Sequence, residues 1–155
     1  AVENIKKVLE YFRNKGVPII HFRELHRPQM VDFGRELDGD ESVHCIEGSD
    51  GADFVDGLRP LKNEYFIPKR RYSGFFATDL DLLLRGLKVE KLFIVGFLTD
   101  VCVHYTCADA HQHDYHIHVV REAVGGSSLV AHEAALAAIE YLQHGAVISE
   151  KEVCE

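Results

Sequence analysis

The sequence lacks the features that mark membrane, nucleic-acid and metal-finger proteins. None of its apolar runs approaches the about 20 consecutive residues that a bilayer-spanning helix needs. Outside Lys69-Arg70-Arg71 there is no dense basic stretch, and the formal net charge is -8. A nucleic-acid binder needs a cationic face to neutralise phosphates, so that class is excluded. The four cysteines, Cys45, Cys102, Cys107 and Cys154, follow no paired metal-ligand spacing. In a chain of this size they read as reduced thiols, and a cytoplasmic protein is expected. Internal repeats, low-complexity segments and interdomain linkers are also absent, so residues 1–155 are expected to form one domain with a real core.

What is present is ordinary for a globular protein, with 46% hydrophobic and 27% charged residues. Val2, Ile5, Val8, Leu9 and Phe12 recur at helical spacing, which predicts an amphipathic helix from Val2 to Asn14 ended by Gly16. A buried strand is expected from Val17 to Phe22, then a long polar loop from Arg23 to Asp50. A short helical turn follows from Gly51 to Leu58, and a short strand from Tyr65 to Pro68. Thr78 is placed to cap a helix running to Leu87 with Leu80, Leu83, Leu84 and Leu87 on its apolar face. Strands over Lys91–Val95, His116–Val120 and Ala146–Ile148, with a helix from Ser127 or Ser128 to His144, complete the pattern. Alternating strands and helices imply an α/β fold, three layers deep, with a central parallel sheet between helices. In such sheets ligands bind beyond the carboxyl ends of the strands.

The chemistry concentrates between Val89 and Asp114. Lys91–Val95 is an apolar run ended by Gly96, and Val101, Tyr105 and Ala108 then follow at helical spacing. Thr99 and Asp100 are candidate N-caps, so Cys102 falls at a strand-to-helix turn or in the first helical turn. Unpaired N–H groups there favour a thiolate and can receive a developing oxyanion.

Four stretches together resemble the isochorismatase-like cysteine hydrolases, the family that includes nicotinamidases. They are Lys69-Arg-Arg-Tyr-Ser-Gly-Phe-Phe-Ala-Thr-Asp-Leu80, Gly96-Phe-Leu-Thr-Asp-Val-Cys-Val-His-Tyr-Thr-Cys-Ala-Asp-Ala110, His44 to Ala52, and Arg23 to Pro28. The resemblance implies a Cys–Lys–Asp triad with Cys102 as nucleophile and Lys69 as its cationic partner. It implies an oxyanion hole from the backbone N–H groups of Leu98 and Cys102, and a cis bond at Phe97–Leu98. The family's first strand, and the aspartate just beyond it, have no counterpart here, and Asp32, Asp38 and Asp40 lie elsewhere, in the long loop. That strand is therefore expected to lie outside this chain.

The expected reaction is C–N cleavage of a small amide through a thioester. A catalytically inactive binding protein and isochorismatase-type ether hydrolysis are the alternatives. Tyr72, Phe75 and Tyr105 are candidate pocket walls for a flat substrate. The triad chemistry requires no cofactor. The resemblance to nicotinamidases also suggests Glu24, His26 and His44 as ligands for zinc, manganese or iron. A homo-oligomer is expected.

Overall fold

The computed structural model describes residues 1–155. Helix α1 spans Val2–Asn14, the predicted range, and buries Ile5, Val8 and Leu9. Gly16 has φ 66°, a left-handed conformation that costs glycine little and turns the chain out of the helix. Strand β1 is Ile20–Glu24, three residues later than its apolar run begins. The cause is local: the Val17 N–H still bonds to the Phe12 carbonyl at the helix exit. Strand β2, Tyr65–Lys69, pairs with β1 in parallel, setting Glu24 opposite Lys69.

Helix α2 covers Leu80–Leu87 and buries Leu80 and Leu84. Strand β3, Lys91–Phe97, pairs in parallel with β4, His116–Gly125, with a register irregularity between Ile94 and Gly96. Helix α3 is His104–Gln112 and helix α4 is Leu129–Leu142, the latter capped by Ser128, whose side chain accepts from the Ala131 N–H. Strand β5, Val147–Ile148, pairs in parallel with β4. A last helix, α5, Glu150–Cys154, carries a capping box between Ser149 and Glu152.

Two apolar clusters show the layering. Leu80, Leu84, Val103, Cys107, Ile117, Val119, Leu136 and Ile139 belong to one, formed where α2, α3 and α4 meet the strands. Ile5, Val8, Val120, Ala123 and Val153 form the other, under α1 and α5. The parallel α/β architecture is the expected one. Its strands pair as β1-β2 and as β3-β4-β5, with no backbone pairing between β1 and β3.

Candidate active site

The site lies where the carboxyl ends of β1, β2 and β3 converge. Glu24 ends β1, Lys69 ends β2, and Cys102 follows β3 in a π-type turn, Thr99–Val103. That turn corrects the capping expectation, because α3 begins only at His104. Thr99 is fully buried, and its Oγ1 shares a 2.9 Å hydrogen bond with His132 Nδ1. Asp100 accepts from the Ser127 N–H at 2.8 Å and from Ser127 Oγ at 2.6 Å. Both residues therefore tie the cysteine turn to the start of α4 instead of capping α3. The Phe97–Leu98 bond is cis, as the resemblance implies.

Lys69 Nζ donates to Cys102 Sγ at 3.4 Å, to Glu24 Oε2 at 3.1 Å and to the Arg71 carbonyl at 2.8 Å. Cys102 Sγ lies 4.0 Å from the same Glu24 oxygen. Lys69 is buried, which is tolerable for a cation only because its donors are occupied. The segment after Lys69 is pinned to α3: Ser73 Oγ donates to Asp109 at 2.5 Å, and the Gly74 N–H donates to Thr106 Oγ1 at 2.9 Å.

The electrostatics differ from the sequence expectation. Burial pushes the Cys102 thiol above its ordinary value and Glu24 adds to that, while Lys69 and the Leu98 N–H pull it down without prevailing. Glu24 is affected in the opposite direction. Burial would raise its carboxyl, but Lys69, His26 and His44 hold it below the usual range. Burial in apolar surroundings alone drives Cys107 up to about 12, consistent with its expected core position.

The other oxygen of Glu24 faces two imidazoles. His26 Nε2–H and His44 Nε2–H donate to Oε1 at 3.2 and 3.0 Å. These three residues offer ligand atoms that all lie within 4.8 Å of one another. His26 is fully buried and its Nδ1 has no hydrogen-bond partner. Burial lowers the His44 pKa, but the Ser42 carbonyl and Glu24 outweigh it and hold it raised.

Tyr72 and Tyr105 come together, with ring centroids 6.0 Å apart. Phe75 does not join them. It stacks on His113 at 5.0 Å, tilts against Tyr115 and packs beside the core. Phe33 was not legible in the sequence, since the long loop has no period to read. Its ring stacks on His26 at 3.9 Å and meets His44 edge-on at 5.6 Å.

A buried lysine and a carboxylate beside a cysteine, at the carboxyl ends of parallel strands, define an α/β protein with a candidate cysteine-nucleophile site. The isochorismatase domain model matches residues 1–153, and the chain belongs to that family. It is 28% identical over 129 residues to the uncharacterized isochorismatase family protein YddQ of Bacillus subtilis, covering 83% of this chain and 66% of YddQ. It is 31% identical to the ureidoacrylate amidohydrolase RutB of Serratia proteamaculans, with 90% and 63% covered. It is 34% identical to the probable inactive nicotinamidase At3g16190 of Arabidopsis thaliana, with 86% and 71% covered. The chain spans about half to two thirds of the length of the first curated relatives it matches.

Among solved structures, an isochorismatase family protein from Desulfovibrio vulgaris superposes with TM-score 0.89 at 27% identity, covering 98% of this chain and 81% of that one. The pyrazinamidase of Pyrococcus horikoshii in complex with zinc gives 0.81 at 32% identity, with 95% and 85% covered.

Proposed function

We propose that the protein is a cysteine hydrolase that cleaves the C–N bond of a small amide. The observation that carries this is Lys69 Nζ, 3.4 Å from Cys102 Sγ and 3.1 Å from Glu24 Oε2. An amide carbonyl is a poor electrophile, and a neutral thiol attacks it too slowly. Burial keeps the resting thiol protonated, so attack needs an acceptor for its proton. Glu24 is the carboxylate within reach, at 4.0 Å. Sγ then forms a C–S bond, and the oxyanion is received by the Leu98 and Cys102 N–H groups. The departing amine takes the proton as the C–N bond breaks. Water hydrolyses the thioester, releasing the acid and restoring the thiol. Tyr72, Tyr105 and Phe33 supply flat apolar surface for the substrate.

Glu24, His26 and His44 fit a zinc, manganese or iron ion. Two imidazoles and a carboxylate oxygen converge, and a buried His26 Nδ1 lacks a partner. A bound ion would supply Lewis acidity and orient a polar end of the substrate. The triad chemistry itself requires no cofactor. Four free thiols support a reducing compartment such as the cytoplasm. No helix is long and apolar enough to cross a membrane.

A second reading, a family member that binds without catalysis, draws support from the raised Cys102 thiol and from the likeness to a probable inactive nicotinamidase. Ammonia release from a panel of small amides separates the two. The hydrolase reading expects turnover, loss of at least a thousandfold in Cys102→Ser, and an acyl adduct on Cys102 by intact mass. Thermal stabilisation by an amide with no ammonia and no adduct would establish the binder.

A further inference from the structure

We propose that Thr99 and Asp100 are positioning residues for Cys102 chemistry, clamping the turn that carries the Leu98 and Cys102 N–H groups to the start of α4. Their effect on turnover rests on the hydrolase reading above, whereas their effect on the reactivity of the thiol does not. Thr99 and Asp100 are the first two of the three residues between those N–H groups. The turn has little of its own to fix its shape. No side chain caps it or α3. The N–H groups of Val101 and Val103 share a single acceptor, the Leu98 carbonyl, at 3.2 and 3.1 Å. Single π-type turns are rare and concentrate at functional sites.

Two side chains supply what the backbone lacks. Thr99 is fully buried, and valine would fill the same space if packing were the only need. Its hydroxyl instead meets His132 Nδ1 at 2.9 Å. A buried hydroxyl is costly unless it is bonded, so this contact fixes the residue next to Leu98. Asp100 uses both of its oxygens on one residue, accepting from the Ser127 N–H at 2.8 Å and from Ser127 Oγ at 2.6 Å. Burial would raise the Asp100 carboxyl, but Ser127 holds it below the usual range, so the acceptor is charged at neutral pH.

The opposing chain is shaped for this approach. A Cβ on Gly126 would lie 2.7 Å from Asp100 Oδ1 and 2.7 Å from His132 Cβ. A Cβ on Gly125, the register partner of Phe97, would lie 2.8 Å from the Phe97 ring. Two glycines in succession therefore let β3 and its turn close onto the start of α4. The consequence is chemical. Donors to an oxyanion act on charge that develops only in the transition state, so their aim governs kcat more than substrate binding. The Leu98 N–H also pulls the Cys102 thiol down. A turn released from α4 loses both effects with no reacting group removed.

Asp100→Ala, Thr99→Val and Gly126→Ala release the turn in three different ways, and Thr99→Ser keeps the hydroxyl. The readouts are the pH midpoint of iodoacetamide modification at Cys102 and the steady-state kinetics of amide hydrolysis. In the three releasing variants the midpoint should move upward, and kcat should fall about tenfold or more with KM little changed. Thr99→Ser should recover most of both. Ser128→Ala is the control, because it weakens α4 without touching the turn and should leave both readouts unchanged. Circular dichroism checks that each variant is folded. If Thr99→Val does not fold, Asp100→Ala, at a half-buried position, reads the same clamp. A folded Asp100→Ala with the midpoint of the unaltered protein overturns the proposal, and so does a Ser128→Ala that shifts the midpoint equally. An unaltered protein that turns over no amide removes the hydrolase reading alone, and the alkylation midpoints still decide whether the clamp sets the reactivity of Cys102.

Discussion

At the scale of single residues, the balance around Cys102 decides its reactivity. Burial holds the proton on, and the Lys69 ammonium at 3.4 Å opposes it. Lys69→Met keeps the stem and removes the charge, so it isolates the electrostatic part. An opposite charge this close favours the thiolate. The pH midpoint of iodoacetamide modification at Cys102 should therefore move upward in the variant. Superimposable profiles for the two proteins would mean that Lys69 does not sense the sulfur, and the hydrolase reading would lose its main support. Glu24, His26 and His44 give a second residue-scale expectation. The purified protein should hold close to one equivalent of transition metal, and His26→Ala should lose it while the fold persists. Elemental analysis finding no metal in the unaltered protein would leave these residues as a hydrogen-bonded cluster only.

At the scale of elements, sequence pattern and structure agree wherever periodicity is strong. The apolar spacing of α1 and a serine start to α4, at Ser127 or Ser128, were both legible, because each is set by local chemistry, and Ser128 is the cap. Cys102 and Lys69 were picked out through the family resemblance, and the fold brings them within 3.4 Å of each other. Tertiary choices were not legible. Phe33 sits in an aperiodic loop, Phe75 packs against His113 and Tyr115, and the π-type turn displaced the start of α3. Helix α5 was missed although Ser149-x-x-Glu152 is a capping-box spacing that could have revealed it. For α4, packing should outweigh capping. Ile139 is fully buried, and Ile139→Ala should cost about 2–5 kcal/mol through lost contact and the cavity left. Ser128→Ala removes one hydrogen bond to the Ala131 N–H and should cost about 1 kcal/mol. Urea unfolding of both variants tests the ordering, and an equal or greater loss from Ser128→Ala would show that this helix is held by its cap.

At the scale of the molecule, the question is what joins two sheets that share no backbone pairing. Ile67 of β2 shares an apolar cluster with Ile117 and Val119 of β4, with Ile20 and Phe22 of β1 packed against it, and polar side-chain ties add to that packing. Lys69 and Glu24 reach Cys102 from β2 and β1, and Ser73 reaches Asp109 on α3. At the opposite, amino end of β1 and β2, Glu64 accepts four hydrogen bonds from three residues. Arg13 on α1 donates from Nε at 2.6 Å and from Nη2 at 2.9 Å, His21 on β1 donates at 2.8 Å, and the Leu61 N–H donates at 2.8 Å. Because α1 also packs under β4 through Ile5 and Val8, this carboxylate couples the smaller sheet to the larger. The Arg13 guanidinium and the other donors outweigh burial and hold Glu64 down at about 2, against 4.5 for the free group. A carboxylate held low in the folded state binds its proton more readily once the chain unfolds. Its contribution is therefore complete above pH ~4.5 and is lost as pH falls from there towards ~2. With the Glu64 side chain only 4% exposed, that contribution should be on the order of 2–3 kcal/mol. Glu64→Gln removes the charge at similar volume, so it should lower the urea midpoint at pH 6 and flatten the loss of stability between pH 5 and pH 3. Equal midpoints at pH 6 with parallel acid limbs would place the coupling of the two sheets in apolar packing instead.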